Sequence, residues 1–83
     1  MSLIKILHIH TDPKFLNDSL RYIDDRIENT ILYIGDESEE IINKLNKLNI
    51  IFIIIPKSNI DYTINELIKN FEKVVLYNFC LIK

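Results

Sequence analysis

LIKILHIHTDPK, residues 3–14, is an apolar run that ends in two histidines, a threonine, an aspartate and a proline. Four of its apolar residues lie too close together for a strand with one wet face: Ile4, Ile6, Leu7 and Ile9. The run therefore predicts a strand buried on both faces, which we expect to be the first and central strand of a parallel sheet. The polar residues follow at its carboxyl end, the edge where open α/β sheets bind ligands. Candidate ligand contacts are therefore His10, Thr11 and Asp12.

The segment after Pro13 has the spacing of an amphipathic α-helix. Its apolar residues recur four, three and four positions apart: Leu16, Leu20, Ile23 and Ile27. Asp12 before Pro13 suits a helix N-cap followed by a proline in the first turn, where a missing N–H costs nothing. Asp12 therefore has two candidate roles, as a helix cap and as a site carboxylate, and the cap is the default.

The rest of the chain alternates strand and helix patterns. Strands are predicted at 30–34, 50–55 and 73–82, and the solid apolar run of 50–55 is expected to be covered on both faces. Helices are predicted over about 38–48 and from 58 or 59 onward, the latter with an apolar face formed by Ile60, Ile64, Leu67, Ile68 and Phe71. The order β-α-β-α-β-α-β predicts one three-layer, Rossmann-like α/β domain over residues 1–83 with a parallel four-stranded sheet. Because no helix pattern follows the last strand, we expect one side of the sheet to stay open.

Composition and charge exclude several classes of function. The chain is 48% hydrophobic and 27% charged, which is typical of a globular domain and not of a disordered one. A net charge of −2 gives no basic patch to replace the counterions of nucleic acid, so no nucleic-acid partner is expected. Gly35 is the only glycine, so neither a P-loop nor the three-glycine dinucleotide fingerprint can be present. We therefore expect no nucleotide cofactor bound in these ways.

Cysteine usage and apolar run length indicate the compartment. Cys80 is the only cysteine, so no intrachain disulfide can form and a reducing compartment is expected. The N-terminus lacks the pattern of a secretory signal, and the longest apolar run, residues 50–55, is far too short to span a bilayer. The sequence predicts a cytoplasmic protein, at most in peripheral contact with the inner face of the membrane.

Two further polar residues are candidate ligand contacts. Lys57 follows the third predicted strand at the same edge as His10 and could meet a phosphate or carboxylate, although a lone lysine after a strand is usually a solvated loop charge. Asn78 lies inside the fourth predicted strand, where a buried amide needs partners. It either pairs with a neighbouring loop or reaches the ligand edge.

The pattern His8-x-His10-x-Asp12 places three possible metal ligands on one face of a strand. It resembles the metal-binding start of amidohydrolase-type enzymes, but such sites take further ligands from later strands and this chain has no third histidine. We therefore assign no metal and no catalytic residue. A metal-dependent hydrolase fragment built around His8 and His10 remains a third interpretation of the sequence.

KILHIHTDP, DSLRYIDD, NTILYIGD and ELIKNFEKVVLYNF together resemble the amino-terminal part of bacterial GT-B glycosyltransferases. Within these, the chain is most similar to the 4-alpha-L-fucosyltransferase group, which transfers an acetamidofucosyl unit from a TDP-sugar to a lipid-linked saccharide. The resemblance covers nearly the whole chain. It implies an acceptor-side domain whose partners, in a longer chain, are a nucleotide-sugar and a glycan or lipid-linked acceptor. It places His10, Thr11, Asp12 and the segment after Tyr77 on the cleft between two domains.

The chain departs from that family in two ways. The small-residue turn that often follows the first strand is replaced by residues 10–13, HTDP, and the donor-binding half is missing. An isolated chain of this length is therefore not expected to catalyse transfer, because stabilisation of the leaving diphosphate would need other residues. The alternative function is a stand-alone binding or regulatory module that forms a homodimer through its uncovered sheet face.

Overall fold

The structure, a computed structural model, describes residues 4–24 and 26–77, with side chains throughout these ranges except at residues 22 and 59–63. It contains a four-stranded parallel sheet with interleaved helices, which confirms the predicted Rossmann-like α/β class. The strands are β1 (Ile4–His10), β2 (Ile27–Ile34), β3 (Ile51–Ile55) and β4 (Lys73–Leu76). The helices are a 3₁₀ helix (Pro13–Tyr22), α1 (Glu39–Lys47), a short 3₁₀ turn (Lys57–Asn59) and α2 (Ile60–Ile68).

The strand order is β3-β2-β1-β4, so β1 is an inner strand as predicted. Its neighbours are β2 and β4, and His8 pairs with Ile31 on one side and with Val75 on the other. Because side chains alternate along a strand, Leu7 and Ile9 lie on one face of β1 while His8 and His10 lie on the other.

Each face of the sheet carries its own core. On the α2 side, buried strand residues pack against the helix: Leu7, Ile9, Leu32, Ile34 and Ile55 against Ile64, Leu67, Ile68 and Phe71. On the other side, the 3₁₀ helix and α1 supply Leu16, Ile41 and Leu45 to a cluster with Ile31 and Tyr33. Each fully buried leucine or isoleucine contributes about 1.5–3 kcal/mol by leaving water. The sheet is therefore the middle of three layers.

The first crossover is a 3₁₀ helix, so the predicted α-helix after Pro13 was wrong in type. Ten residues of 3₁₀ helix span about 20 Å, against about 15 Å for an α-helix. The longer reach is closer to the roughly 23 Å length of the seven-residue β1, which the crossover must traverse to start β2. Three residues per turn also bury Leu16 and Ser19 on one face and leave Leu20 50% exposed.

The two edge strands are only partly covered. In β3, both faces contact the cores as predicted, but Ile51 at its start is 64% exposed. In β4, Val74 and Leu76 are 37% and 49% exposed on the same sheet face as Leu7 and Ile9. The fourth strand ends at Leu76, Tyr77 follows it outside the strand, and residues 78–82 of the predicted strand, with Asn78 and Cys80, lie outside the described residues. Within the described ranges, no helix combines the length and apolar content needed to cross a membrane.

Candidate functional site

A cleft of about 420 Å³ opens at the carboxyl edge of the sheet, above β1, β2 and β3. We call it the edge cleft. Its polar lining comes from the loops that follow these strands and from the start of α1: Thr11, Tyr33, Asp36, Ser38, Glu40 and Lys57. The volume is within the range of about 300–1,000 Å³ that is usual for small-molecule sites. Thr11 and Lys57, two of the residues predicted from the sequence, are thus brought together.

Tyr33 is the most buried polar side chain of the edge cleft, with 7% of its surface exposed. Its ring packs against Gly35 so closely that a Cβ there would lie 2.9 Å from a ring carbon. A side chain at this position would push the ring aside, so glycine lets the ring lie against the backbone. Burial raises the pKa of the Tyr33 phenol, and the nearby carboxylates of Asp12, Asp36 and Glu40 raise it further. The hydroxyl is therefore protonated at neutral pH.

The charged groups of the edge cleft differ in their pairing. Glu40 lies 3.7 Å from Lys44, one helical turn on. Asp36 and Lys57 form no ion pair with any other described residue. The cleft therefore offers one carboxylate and one ammonium that are available to a ligand, in addition to the Tyr33 hydroxyl.

Asp12 stands beside the cleft as the N-cap of the 3₁₀ helix, which confirms the capping role. Its Oδ1 accepts a hydrogen bond of 3.1 Å from the backbone N–H of Lys14, and its Oδ2 lies 3.7 Å from the Lys14 Nζ. Pro13 lies in the first turn of the helix, so the cap and the proline are both where the sequence predicted them. Its role as a ligand contact stays a prediction.

A second polar group of residues lies between β1 and β4, where the strand order reverses; we call it the histidine cluster. The rings of His10 and Tyr77 are stacked, with centroids 4.1 Å apart and an interplanar angle of 11°. The Nε2 of His10 is hydrogen-bonded to the Oγ of Ser19 in the 3₁₀ helix. His8 sits below, with its ring centroid 5.9 Å from that of Tyr77. His8, His10 and Ser19 are fully buried.

The hydrogen bonds of His8 fix its tautomer. The Asn29 Oδ1 can only accept, so the Nε2 of His8 carries the proton and donates over 2.8 Å. The Nδ1 then accepts from the Tyr77 hydroxyl over 2.9 Å. Asn29 in turn donates its amide Nδ2 to the Ile27 carbonyl over 3.2 Å. We call these three hydrogen-bonded side chains the Tyr77–His8–Asn29 relay. It joins Tyr77, the residue after β4, to β1 and β2.

Both histidines are held neutral. Burial lowers the pKa of His10 from 6.5 to about 4, the charge of His8 lowers it as well, and Asp18 partly opposes the shift. Burial also lowers the pKa of His8, against the hydrogen bond with Asn29, and the positive charge of Lys73 adds to the lowering. The Nδ1 of His10 is buried and has no hydrogen-bond partner among the described residues.

The predicted site residues therefore lie in different parts of the structure. Thr11 and Lys57 line the edge cleft, whereas His10 is buried beneath Tyr77 and takes no part in the lining. Asn78 lies outside the described residues. His8, His10 and Asp12 have separate partners, and in the described part of the chain no group of three or more His, Cys, Asp or Glu side chains is placed to hold a metal ion.

Four cleft residues had not been singled out from the sequence: Tyr33, Asp36, Ser38 and Glu40. The signal that could have indicated them is the lone glycine at the carboxyl end of β2, because a glycine there marks a close approach or a tight turn. Ser38 also caps α1, where its Oγ accepts from the Ile41 N–H over 3.2 Å.

No protein-family model, curated protein or solved structure matches this chain. Fold and cleft together define a class, a small Rossmann-like α/β domain with an open polar cleft at the carboxyl edge of its sheet.

Proposed function

We propose that the edge cleft binds a hydroxyl-rich sugar ligand, and that the domain serves as the acceptor-side half of a GT-B-like glycosyltransferase. The observation that carries the proposal is the lining of the cleft. It combines a carboxylate (Asp36) and an ammonium (Lys57), neither of which has an ion-pair partner in the described chain, with the phenol of the mostly buried Tyr33. Sugar hydroxyls both donate and accept hydrogen bonds, so they can use all three groups. Charge-assisted hydrogen bonds of this kind are the strong ones.

The start of α1 argues against a phosphate group in this cleft. A helix N-terminus attracts anions when its N–H groups are free and no acidic side chain stands near. Here Ser38 already accepts the Ile41 N–H, and Glu39 and Glu40 occupy the first turn. This supports a site for the acceptor sugar, with the diphosphate of a nucleotide-sugar bound by other parts of a longer enzyme.

The position of the cleft favours the same function. In open α/β sheets, ligands bind outside the carboxyl ends of the strands, and the edge cleft lies above three of the four strands. In a two-domain transferase this edge faces the second domain, so an acceptor bound at Asp36 and Lys57 would be presented to the donor. We expect the 83-residue chain to bind sugars weakly and to transfer none.

The test is a two-dimensional NMR titration of the ¹⁵N-labelled 83-residue chain with neutral mono- and disaccharides and, separately, with a nucleoside diphosphate. We expect the saccharides to shift the amide signals of Gly35, Asp36 and Ser38 and to leave those of β4 unchanged. The nucleoside diphosphate should shift none of them.

Lys57→Gln should weaken the saccharide shifts, whereas the matched control Lys69→Gln should not, because Lys69 lies beyond the end of α2 and pairs with Glu66. The absence of any saccharide shift at the cleft, or stronger shifts with the nucleoside diphosphate, would count against the proposal.

A second candidate function is self-association through β4. The observation in its favour is the exposure of Val74 and Leu76 on a sheet face that α2 leaves partly open. Sedimentation velocity of the chain should then show a dimer, and Leu76→Lys should convert it to a monomer. Ile51→Lys, at an even more exposed position on the opposite edge strand, is the control. A chain that is monomeric at high concentration excludes this function.

A further inference from the structure

A groove of about 280 Å³ lies between the start of the 3₁₀ helix and the second half of α1. We call it the lysine groove, because all of its charged lining consists of lysines: Lys14, Lys44 and Lys47. The rest of its lining is one amide and three apolar side chains: Asn17, Pro13, Leu16 and Leu48. Among the described residues no carboxylate lines the groove, although the whole chain has a net charge of −2. The groove is therefore basic, with an apolar floor.

The three ammonium groups of the groove keep hydrogen-bond donors for a ligand. The Nζ of Lys14 lies 3.7 Å from the Asp12 carboxylate, which is an ion-pair contact too long for a hydrogen bond. The Nζ of Lys44 lies at the same distance from Glu40. Lys47 has no ion-pair partner among the described residues. Each ammonium carries three donors, so the two helices present unused donors to one space.

Lysines in the last turn of a helix also have an ordinary role, because they offset the negative end of the helix dipole. Lys44 and Lys47 lie in the last turn of α1 and can act in this way. That role does not account for Lys14, which belongs to the other helix and lies 5.3 Å from the centre of the Phe15 ring. Cations from two elements thus meet over one apolar floor, and this convergence indicates a ligand.

The size and charge of the groove indicate which ligand fits. A volume of about 280 Å³ is at the lower end for small-molecule sites and is too small for one turn of a partner helix, which is about 10 Å wide. A phosphate monoester carries a charge of about −1.5 to −2 at neutral pH and three acceptor oxygens. A carboxylate carries one charge and two oxygens. Three ammonium groups therefore match a phosphate better.

We propose that the lysine groove binds a small phosphate monoester, with its phosphate among the three ammonium groups and its carbon part against Pro13 and Leu48. The lysines donate charge-assisted hydrogen bonds to the phosphate oxygens. The carbon part leaves water where it covers the apolar floor. This site is separate from the edge cleft, and it does not depend on sugar binding there.

The test is an NMR titration of the ¹⁵N-labelled chain with three anions: phenyl phosphate, benzoate and inorganic phosphate. Phenyl phosphate should shift the amide signals of Leu16, Asn17 and Leu48 and leave those of Gly35 and Asp36 unchanged. Benzoate has the same ring with a single charge and should bind roughly fivefold more weakly. Inorganic phosphate has no carbon part for the floor and should also bind more weakly. Added salt should weaken the binding of phenyl phosphate.

Lys47→Gln should weaken phenyl phosphate binding roughly threefold, because it removes a cation that no described carboxylate offsets. Lys69→Gln is the matched control and should change nothing, since Lys69 pairs with Glu66 and does not line the groove. Both lysines are exposed, so their replacement is compatible with folding, which circular dichroism checks.

Several results would overturn the proposal. Equal affinity in the parent chain and Lys47→Gln would reduce that lysine to its role at the end of α1. Equal affinity for benzoate and phenyl phosphate would show that the groove does not select phosphate, and equal affinity for inorganic phosphate would show that the floor contacts no ligand. Binding to phosphatidylglycerol vesicles without binding of phenyl phosphate would assign the groove to a membrane surface. Absence of saccharide shifts at the edge cleft, in contrast, counts against the proposed function alone.

Discussion

The edge cleft and the histidine cluster lie at the same edge of one sheet, yet their polar side chains differ in burial and in pairing. In the cluster, His8, His10 and Ser19 are fully buried and hydrogen-bonded to protein partners. In the cleft, Asp36 and Lys57 have no ion-pair partner among the described residues. The place where strand order reverses is the usual ligand crevice of such sheets. Here side chains of the domain itself fill it, which leaves the cleft above β1, β2 and β3 as the position for a ligand.

This difference assigns separate roles to the two regions. Buried polar groups that are hydrogen-bonded to the protein specify one packing and are costly to disturb; of the cluster's ring nitrogens, only the His10 Nδ1 has no partner in the described chain. Unpaired groups around an open cleft contribute little to folding and are available for binding. Substitutions in the histidine cluster should therefore change the free energy of unfolding, and substitutions in the edge cleft should change ligand affinity.

Replacing Tyr77 should have the largest effect. Tyr77→Ala removes the ring stacked on His10 and the donor to His8, and we expect a loss of about 2–4 kcal/mol in the free energy of unfolding. Tyr77→Phe keeps the ring and should lose about 1 kcal/mol. Urea denaturation followed by circular dichroism measures both.

Tyr33→Phe is the matched variant in the cleft and should be neutral, because its hydroxyl is hydrogen-bonded to no other described residue. Equal losses in Tyr77→Phe and Tyr33→Phe would break the distinction between the two regions.

Acid should also destabilise the domain through the histidine cluster. The pKa of His10 in the folded state, about 4, is below its value of 6.5 in the unfolded chain, so the unfolded chain binds more protons between these values. Stability is complete above pH 6.5 and falls as the pH drops through about 4, by on the order of 3 kcal/mol from His10. The lowered pKa of His8 acts in the same direction.

Urea denaturation across this pH range tests the acid prediction. His10→Gln should flatten the pH dependence. Asp24→Asn is the control: its carboxyl pKa is lowered by an exposed hydrogen bond with Arg26, and its removal should leave the histidine-dependent loss in place. An unchanged slope in His10→Gln would refute the role of this residue.

Ser19→Ala should have an intermediate effect. It removes the partner of the His10 Nε2 and leaves that ring with no hydrogen bond to a described residue. The expected loss is about 1–2 kcal/mol. Asn17→Ala, an exposed position on the same 3₁₀ helix, should stay within about 0.5 kcal/mol of the parent chain. Thermal denaturation of the two variants side by side measures this difference. Equal melting temperatures would contradict a stabilising role for the Ser19 hydrogen bond.

Gly35→Ala should have the smallest effect on stability and a larger one on the edge cleft. The new methyl group would lie 2.9 Å from the Tyr33 ring, which must shift to make room. We expect a loss of about 1 kcal/mol in stability, because the atoms in the way belong to the tip of one side chain, and clearly weaker saccharide binding. An NMR titration of the variant with unchanged affinity would show that the position of Tyr33 does not matter for the ligand.

The four strands, their alternation with helices and the inner place of β1 could be predicted from the sequence, because dense apolar runs are a local signal of buried parallel strands. The type of the first crossover could not, since the choice between 3₁₀ and α-helix depends on the distance to be spanned across the sheet. That choice also decides which residues face inward: an α-helical spacing favours Leu20, whereas the observed helix buries Ser19 and leaves Leu20 half exposed.

The candidate site was predictable in part for a related reason. The carboxyl edge follows from strand direction, so Thr11 and Lys57 could be placed there, and both line the cleft. The side-chain direction of His10 was not determined by its position at the end of β1. It is determined by the ring of Tyr77 and the hydroxyl of Ser19, two contacts that the fold brings together from distant parts of the chain.

The Tyr77–His8–Asn29 relay has a consequence for strand alignment. The inner strands are rich in isoleucine and leucine, so a slip of two positions between them would keep every side chain on its own face and alter the apolar contacts little. The relay cannot tolerate such a slip, because His8 meets Asn29 and Tyr77 only when β1 lies in the observed register with both neighbours. Three polar side chains thus act as an alignment key for strands whose apolar residues are nearly interchangeable.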